Sequence, residues 1–146
     1  RVASGGRGPG AGAREPVLMW VLDASAAAEL LLGTDRGLDV EAALGADDIY
    51  APQLLAVEVL SVLRGMVRGG HLAVRRAEAA LDDLEDLGLA WTDLPPLLGA
   101  SWTWRHNISA YDAVYVALAA SLDCRVLTWD RRLSAACDIC VLPGPR

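Results

Sequence analysis

Two kinds of apolar pattern alternate along the chain. Continuous or short apolar runs predict strands, and apolar residues at a spacing of three and four predict helices. The predicted strands cover residues 17–22, 49–51, 89–95, 125–130 and 139–143. The predicted helices cover residues 25–33, 37–46, about 53–68, 71–88, 96–107, 109–123 and 131–137. Strands that alternate with helices are typical of a layered α/β domain with a mainly parallel sheet, here of about five strands.

The position of a ligand follows from this fold class. In open parallel sheets, ligands bind at the carboxyl ends of the strands, near the point where the strand order switches. Residues that directly follow predicted strands are therefore the first candidates for a functional site.

The chain of 146 residues has the length of one domain. Residues 1–16 are rich in Gly, Pro and Arg and lack an apolar stretch, which predicts a flexible tail ahead of a domain at 17–146. Because residue 1 is Arg, the origin of this tail is open. No apolar run reaches the roughly 18 residues that a membrane helix needs, so no membrane association is expected.

The charge limits the class of partner. The net charge is −6 and all 13 basic residues are arginine, which argues against a general polyanion binder, so any contact with nucleic acid should be local. The three cysteines are an odd number and indicate a reducing compartment, and we expect the cytoplasm. Cys137 and Cys140 have the spacing of a metal pair, but too few partners remain for zinc, so buried structural cysteines are expected.

Two aspartates end predicted strands. Asp23 directly follows the apolar run VLMWVL, and Asp130 directly follows RVLTW, each just before a helix. Aspartate is a favoured helix N-cap, so capping alone explains either residue taken singly.

Two further acids lie on predicted helices. Glu58 projects between apolar positions of its helix, where an unpaired carboxylate is costly, so it should be protonated, paired with a base or bound to a metal. A buried ion pair with an arginine is the alternative. Asp112 stands three residues after Ser109, the spacing of a reciprocal helix cap, but it also leads a helix that is apolar on every side and should be interior.

The four acids come from four elements and are expected to meet at one sheet edge. Like charges held close together repel, and a hard divalent cation is the usual compensation where no Lys or Arg is near. Mg²⁺ or Mn²⁺ suits such oxygen ligands and leaves positions open for a phosphate. Metal-assisted hydrolysis of a phosphodiester is the chemistry that this arrangement favours.

Four ordered blocks carry a family resemblance: VLDASAAAELL, YAPQLLAVEVLSVL, SAYDAVYVALA and VLTWDRRL. Over about residues 17–142 the chain resembles the PIN-domain ribonucleases, and most closely the VapC-type toxins of bacterial toxin–antitoxin pairs. The resemblance implies a three-layer α/β/α fold in which Asp23, Glu58, Asp112 and Asp130 are catalytic ligands of Mg²⁺ or Mn²⁺. Ser25 and Thr128 match hydroxyl residues of the family, and with Arg131 they are candidate substrate-binding residues.

The resemblance also implies partners and an activity. It implies an endoribonuclease toxin that cleaves RNA, is neutralised by a cognate VapB-like antitoxin and forms a homodimer. The alternative is a catalytically inactive module with this fold that acts through antitoxin or nucleic-acid complexes. Receiver domains and haloacid-dehalogenase-like phosphatases also follow their first strand with Asp, but they use a lysine that this chain lacks.

Aromatic and basic residues outside the four blocks leave their roles open. Trp91, Trp102, Trp104 and Trp129 suit either base stacking or packing in a core or dimer. Arg64, Arg68, Arg75 and Arg76 suit either RNA guidance or a solvated face. His71 and His106 are expected at the surface.

Overall fold

The computed structural model describes residues 18–144 and contains a five-stranded sheet in which every pairing is parallel. The strands are β1 (Met19–Leu22), β2 (Asp48–Pro52), β3 (Ala90–Thr92), β4 (Arg125–Leu127) and β5 (Cys140–Val141). The helices are α1 (Ala24–Leu32), α2 (Asp35–Leu44), α3 (Leu54–Arg68), α4 (Val74–Asp86), α5 (Leu98–Trp102), α6 (Ala110–Ser121) and α7 (Arg131–Ala136). A 3₁₀ turn at Pro95–Leu97 precedes α5. The predicted α/β fold with a parallel sheet of about five strands is confirmed.

The strand order is β3-β2-β1-β4-β5, so the chain reverses its direction of travel across the sheet between β1 and β4. The carboxyl ends of these two neighbouring strands form the topological switch point, where open α/β sheets bind their ligands. The register pairs Leu22 with Leu127, and therefore both strands end at the same level. Asp23 follows one of them directly.

Helix α6 is the interior helix that its sequence predicted. Seven consecutive residues, 113–119, are buried, and the helix packs against β1, β2 and β4. Helix α1 belongs to a second group of helices, in which it packs against α2, α3 and α4. The sheet is thus flanked by helices, and the core contains Val21, Leu55, Val116 and Leu127.

Several element boundaries differ from the sequence predictions. The fourth strand was predicted to reach residue 130 but ends at Leu127, and the N–H of Asp130 donates to the Thr128 hydroxyl (2.9 Å) in the turn that follows. The helix predicted at 96–107 is the 3₁₀ turn plus the short α5. The second strand, predicted at 49–51, extends from Asp48 to Pro52.

The remaining predictions at this level are of three kinds. Cys137 and Cys140 are buried and all three cysteines are free, and His71 and His106 are exposed, as expected. The tail predicted at 1–16 lies outside the described residues. Within the described part of the chain, none of the helices combines the length and the apolar character needed to cross a bilayer.

Candidate functional site

Asp23 is the first residue after β1 and caps α1. Its N–H donates to the carbonyl of Leu127 (3.3 Å), and its Oδ1 accepts from the N–H of Ala26 (3.0 Å). The side chain is buried, and this loss of hydration raises the pKa of Asp23, against the lowering effect of hydrogen bonds from Thr128, Ala26 and Ser25. The capping interpretation is therefore right, and the same backbone position puts the carboxyl at the switch point.

Two hydroxyl groups support this carboxyl. The Ser25 hydroxyl donates to Oδ1 of Asp23 (2.7 Å) and accepts from the N–H of Trp129 (2.9 Å). Thr128 Oγ1 lies 3.2 Å from the Ser25 oxygen and accepts from the N–H of Asp130. Thr128 is 0% exposed, so in this structure it contacts the protein and has no face open to a substrate. Together, the two hydroxyls join the end of β1 to the segment after β4.

Asp130 opens α7 as its N-cap. Its Oδ1 accepts from the N–H groups of Arg132 (2.9 Å) and Leu133 (3.2 Å). The strand before it ends three residues earlier, so Asp130 reaches the switch point through a short turn and not directly from the ladder. Arg131 is the first residue of α7 and is exposed, which leaves its guanidinium available to a ligand.

Asp112 and Glu58 come from two different helices. The Ser109 hydroxyl accepts from the N–H of Asp112 (3.1 Å), which is the capping contact expected from their spacing. Glu58 is half-buried and, contrary to the ion pair considered as an alternative, it has no arginine partner among residues 18–144. Its Oε1 instead accepts a hydrogen bond from the hydroxyl of Tyr115 at 2.7 Å. Tyr115 was not among the sequence candidates.

Electrostatic coupling places Asp112 among the other three acids. The charge of Asp112 contributes to the raised pKa values of both Asp23 and Glu58, and the charge of Asp130 contributes to the raised pKa of Asp112. In all three raised cases burial is the largest cause, and hydrogen bonds from Tyr115 to Glu58 and from Ser109 to Asp112 oppose it. Asp112 therefore lies within electrostatic range of each of the other three predicted acids.

The donor chemistry fits a hard divalent cation, since the four side chains offer only carboxylate oxygens. None of the four forms an ion pair with any residue that the structure describes. The side chains as they stand are not a ready cage, because across residues 18–144 no three His, Cys, Asp or Glu side chains are close enough together to hold an ion. The residues fit in type and charge, and ligation would require their side chains to draw together.

A cavity of about 430 Å³ extends from this site. Ser25 and Asp130 line the end that belongs to the site, and Trp129 lies beside them. The guanidinium of Arg36 lies 5.3 Å from the centre of the Trp129 ring, whose Nε1–H donates to the Arg36 carbonyl. The rest of the lining comes from α1, α3 and the segment between α1 and α2: Ala28, Glu29, Leu32, Thr34, Val62 and Met66. The site is thus continuous with a largely apolar hollow.

Comparison with known proteins gives two findings at the level of sequence. The family model for the PIN domain matches residues 20–139. Ribonuclease VapC1 of Mycobacterium tuberculosis is 41% identical over 118 residues, which are 80% of this chain and 89% of that protein.

Two solved structures share the fold. One is PAE2754 from Pyrobaculum aerophilum, with a TM-score of 0.66 and 21% identity over 86% of this chain and 89% of that one. The other is VapC20 of Mycobacterium tuberculosis, described as a toxin that cleaves the sarcin–ricin loop, with a TM-score of 0.60 and 20% identity over 80% of this chain and 94% of that one.

Proposed function

This chain belongs to the PIN-domain family, alongside the VapC ribonucleases, and on that basis we propose that it is a metal-dependent endoribonuclease toxin. The observation that carries the proposal is the coupling of Asp112 to the other three carboxyls at the sheet's switch point, where none of the four has a basic partner within residues 18–144. Mg²⁺ or Mn²⁺ is the ion that these oxygen donors suit.

The four acids have related roles in this proposal. Asp23, Glu58, Asp112 and Asp130 would hold the ion, directly or through water. The chemistry that such an ion supplies is activation of a water for attack on a phosphodiester and compensation of charge on the leaving oxygen. Asp23 is held by the Ala26 N–H and the Ser25 hydroxyl, so its carboxyl is oriented before any ligand arrives.

The other three candidates divide by exposure. Arg131 is exposed beside Asp130 and is suited to contact an RNA phosphate. Thr128 is buried and orients the Asp130 backbone, so we give it a positioning role. Ser25 orients Asp23 and, because it also lines the cavity, stays a candidate substrate contact.

RNA cleavage by the purified chain tests this function. We expect cleavage with Mg²⁺ or Mn²⁺, loss of cleavage with a chelator and a loss of at least about 100-fold in Asp112→Asn, the scale of a catalytic group. Asp83→Asn, the same change at an exposed position of α4, should retain wild-type cleavage. Cleavage that survives both the chelator and Asp112→Asn would contradict the metal mechanism. RNA-end mapping in cells would identify the target.

A cognate antitoxin is proposed for the cavity beside the site. The apolar side chains Ala28, Leu32, Val62 and Met66 suit an apolar segment of a protein partner, and the nearby acids suit a basic residue of the same segment. Co-expression with a cognate VapB-like antitoxin should suppress cleavage, and Met66→Glu should abolish that suppression while cleavage persists. Suppression that Met66→Glu leaves intact would place the antitoxin elsewhere.

A homodimer is proposed for a different surface. Leu98, Trp102 and Tyr111 are large apolar residues that are 59%, 68% and 63% exposed. They line a cavity of about 660 Å³ between α5 and the start of α6. Contiguous apolar surface of this kind marks protein contact sites. A cytoplasmic location remains the prediction made from the cysteines.

The inactive binding module is the second candidate, and the absence of a ready cage in the described residues is the observation that favours it. Expression in cells separates the two candidates. Growth arrest by the wild type that Asp23→Ala abolishes would exclude the inactive module, whereas equal arrest by both would support it.

A further inference from the structure

Tyr115 is a buried residue with a polar hydroxyl, and the proposed function leaves it unused. It is 1% exposed and lies inside the apolar stretch of α6, where its ring belongs to the core. A buried tyrosine hydroxyl needs a hydrogen-bond partner. Its partner is not a nearby backbone carbonyl but Oε1 of Glu58, 57 residues earlier in the chain and 2.7 Å away.

The position of Tyr115 on its helix relates Glu58 to Asp112. Tyr115 follows Asp112 by three residues, and residues three apart lie on the same face of a helix, roughly 5–6 Å from each other. A carboxylate held by the Tyr115 hydroxyl is therefore held on the face of α6 that carries Asp112. The charge of Asp112 acts on both Glu58 and Tyr115, in agreement with this placement.

The main helix packing does not supply this alignment. Helix α3, which carries Glu58, packs mainly against α1, α4 and β2. Helix α6 packs mainly against α5 and strands β1, β2 and β4. Glutamate has three rotatable side-chain bonds and Glu58 is only half-buried, so packing alone leaves several positions open to its carboxylate. The hydrogen bond from Tyr115 selects one of them.

We propose that Tyr115 is a positioning residue, whose hydroxyl fixes Glu58 on the Asp112 side of α6 and thereby strengthens divalent-cation binding by the site. Oε1 of Glu58 accepts this bond, so the carboxylate would be held in one orientation when the acids bind an ion. This inference rests on the proposed function, because it takes the four acids as the ligands. Hydrogen bonds that orient ligating carboxylates typically change metal affinity by about 10- to 100-fold when they are removed.

Mn²⁺ binding to the purified full chain, measured by calorimetry, is the test. Tyr115→Phe removes the hydroxyl and keeps the ring, and we expect Mn²⁺ affinity about tenfold weaker than that of the wild type. Tyr50→Phe makes the same chemical change in β2, at a hydroxyl that forms no hydrogen bond with any of the four acids, and should bind Mn²⁺ as the wild type does. Adding Tyr115→Phe to Glu58→Gln should cause no further loss, because the hydroxyl acts through Glu58.

A purely structural tyrosine would give another pattern. It would lower the melting temperature of Tyr115→Phe while the Mn²⁺ affinity of the folded protein stayed within twofold of the wild type, and that result would overturn the proposal. In RNA cleavage, saturating Mn²⁺ should restore most of the kcat of Tyr115→Phe, whereas the Mn²⁺ concentration at half-maximal rate should rise about tenfold.

A second measurement keeps Tyr115 intact, in case Tyr115→Phe does not fold. The chain has three tyrosines, and their ¹³Cζ NMR signals can be assigned with Tyr50→Phe and Tyr111→Phe. The Tyr115 signal should shift on titration with Mg²⁺ in the wild type and should not shift in Glu58→Ala. A Tyr115 chemical shift that does not change when Mg²⁺ is added to the wild type would overturn the proposal.

The two proposals can fail separately. If the wild type binds Mn²⁺ more tightly than Tyr115→Phe but cleaves no RNA, the nuclease function is wrong and the positioning role stands. If the wild type cleaves RNA with Mn²⁺ and Tyr115→Phe binds Mn²⁺ equally well, only the positioning role is wrong. A wild type that binds no Mn²⁺ overturns both the positioning role and the metal mechanism.

Discussion

Single carboxyls in this site do two things at once. Asp23 and Asp130 cap helices, and Asp112 is itself held by a capping serine, so each acid has a structural reason to be where it is. The burial of Asp23 and Asp112 nevertheless carries a cost, because loss of hydration disfavours the charged form and raises the pKa of both carboxyls. Asp23 therefore stabilises a helix end as its cap and destabilises the folded protein through its charge.

The first prediction concerns the stability of Asp112→Asn. Burial is the largest influence on the raised pKa of Asp112, so removing the charge should raise the melting temperature by a few degrees at neutral pH in chelator. The contribution of such an acid to stability is complete below its unfolded pKa, about 4, and is lost as the pH rises through the raised folded pKa. The difference in melting temperature between variant and wild type should thus grow from about pH 4 upward.

Thermal unfolding over that pH range, with and without Mg²⁺, checks this prediction. Mg²⁺ should raise the melting temperature of the wild type and close most of the gap, because a ligand that binds the folded state stabilises it. A variant that melts below the wild type at neutral pH in chelator would mean that the bond with Ser109 outweighs desolvation.

The second prediction concerns the buried hydroxyl of Thr128. Thr128→Val keeps the shape but leaves the N–H of Asp130 without its acceptor, which should lower the free energy of unfolding by about 1–3 kcal/mol. Cleavage should fall as well, since the turn that carries Asp130 loses its anchor. Thr128→Ser keeps the hydroxyl and should retain activity at a cost of about 1 kcal/mol for the lost methyl. Urea unfolding and RNA cleavage check both variants; equal activity of Thr128→Val and the wild type would contradict the anchoring role.

At the scale of elements, what was local in sequence could be predicted. The run VLMWVL predicted the strand β1, and the run that is apolar on every side predicted the interior helix α6. Both could be predicted because an element that is buried on both faces has a continuous apolar pattern. The helix predicted to 107 was too long, because the side chains of Thr103 and Arg105 bond the carbonyls of Ala100 and Trp102. Such local hydrogen bonds between side chains and the backbone compete with the continuation of a helix. They do not alter the spacing of apolar residues, so the apolar pattern did not reveal where the helix ends.

The acids and Tyr115 show the same division within the site. Asp23 and Asp112 were found because they stand beside recognisable strand and helix signals. The role of Tyr115 could not be found, since its contact joins α3 and α6 across 57 residues, and within its own helix it is one more core position. The sequence did contain one signal for this role: in the helix predicted to be interior, a tyrosine follows the candidate ligand Asp112 by three residues, on the same face of the helix.

The third prediction concerns the contact between α1 and α2. A Cβ added at Gly37 would lie 2.1 Å from the backbone carbonyl oxygen of Glu29, so Gly37→Ala must push the two helices apart. We expect a loss of about 1–3 kcal/mol in the free energy of unfolding, the usual cost of overpacking. Gly65→Ala in α3 is the matched control, where the added Cβ meets nothing within 4 Å and alanine should gain up to about 1 kcal/mol.

Denaturant unfolding of both alanine variants checks this contact. If Gly37→Ala were as stable as Gly65→Ala, the two helices would have room to separate. The sequence had assigned Gly37 to the start of a helix, whereas Thr34 is the cap and Gly37 is an interior close-contact position.

At the scale of the whole molecule, the acidic net charge bears on RNA binding, whereas the exposed apolar surface bears on contact with a protein. A net charge of −6 leaves RNA binding to local groups such as Arg131, so it does not favour a broad electrostatic footprint. The exposed apolar residues around α5 instead favour a protein partner. Trp102 is the most exposed of them, and the Arg105 guanidinium stacks 5.2 Å from its ring centre.

The fourth prediction is that Trp102→Glu weakens the proposed homodimer. Tryptophans at the centre of an interface commonly contribute about 2 kcal/mol or more, so the dimer dissociation constant should rise at least about 30-fold. Val74→Glu makes a similar change at a residue of α4 that is 57% exposed and does not line the cavity. The dimer dissociation constant of this variant should equal that of the wild type. Sedimentation equilibrium over a range of concentrations measures all three constants. If Trp102→Glu dimerised as tightly as Val74→Glu, the dimer would have to use another face, and the α5 surface would need a different partner.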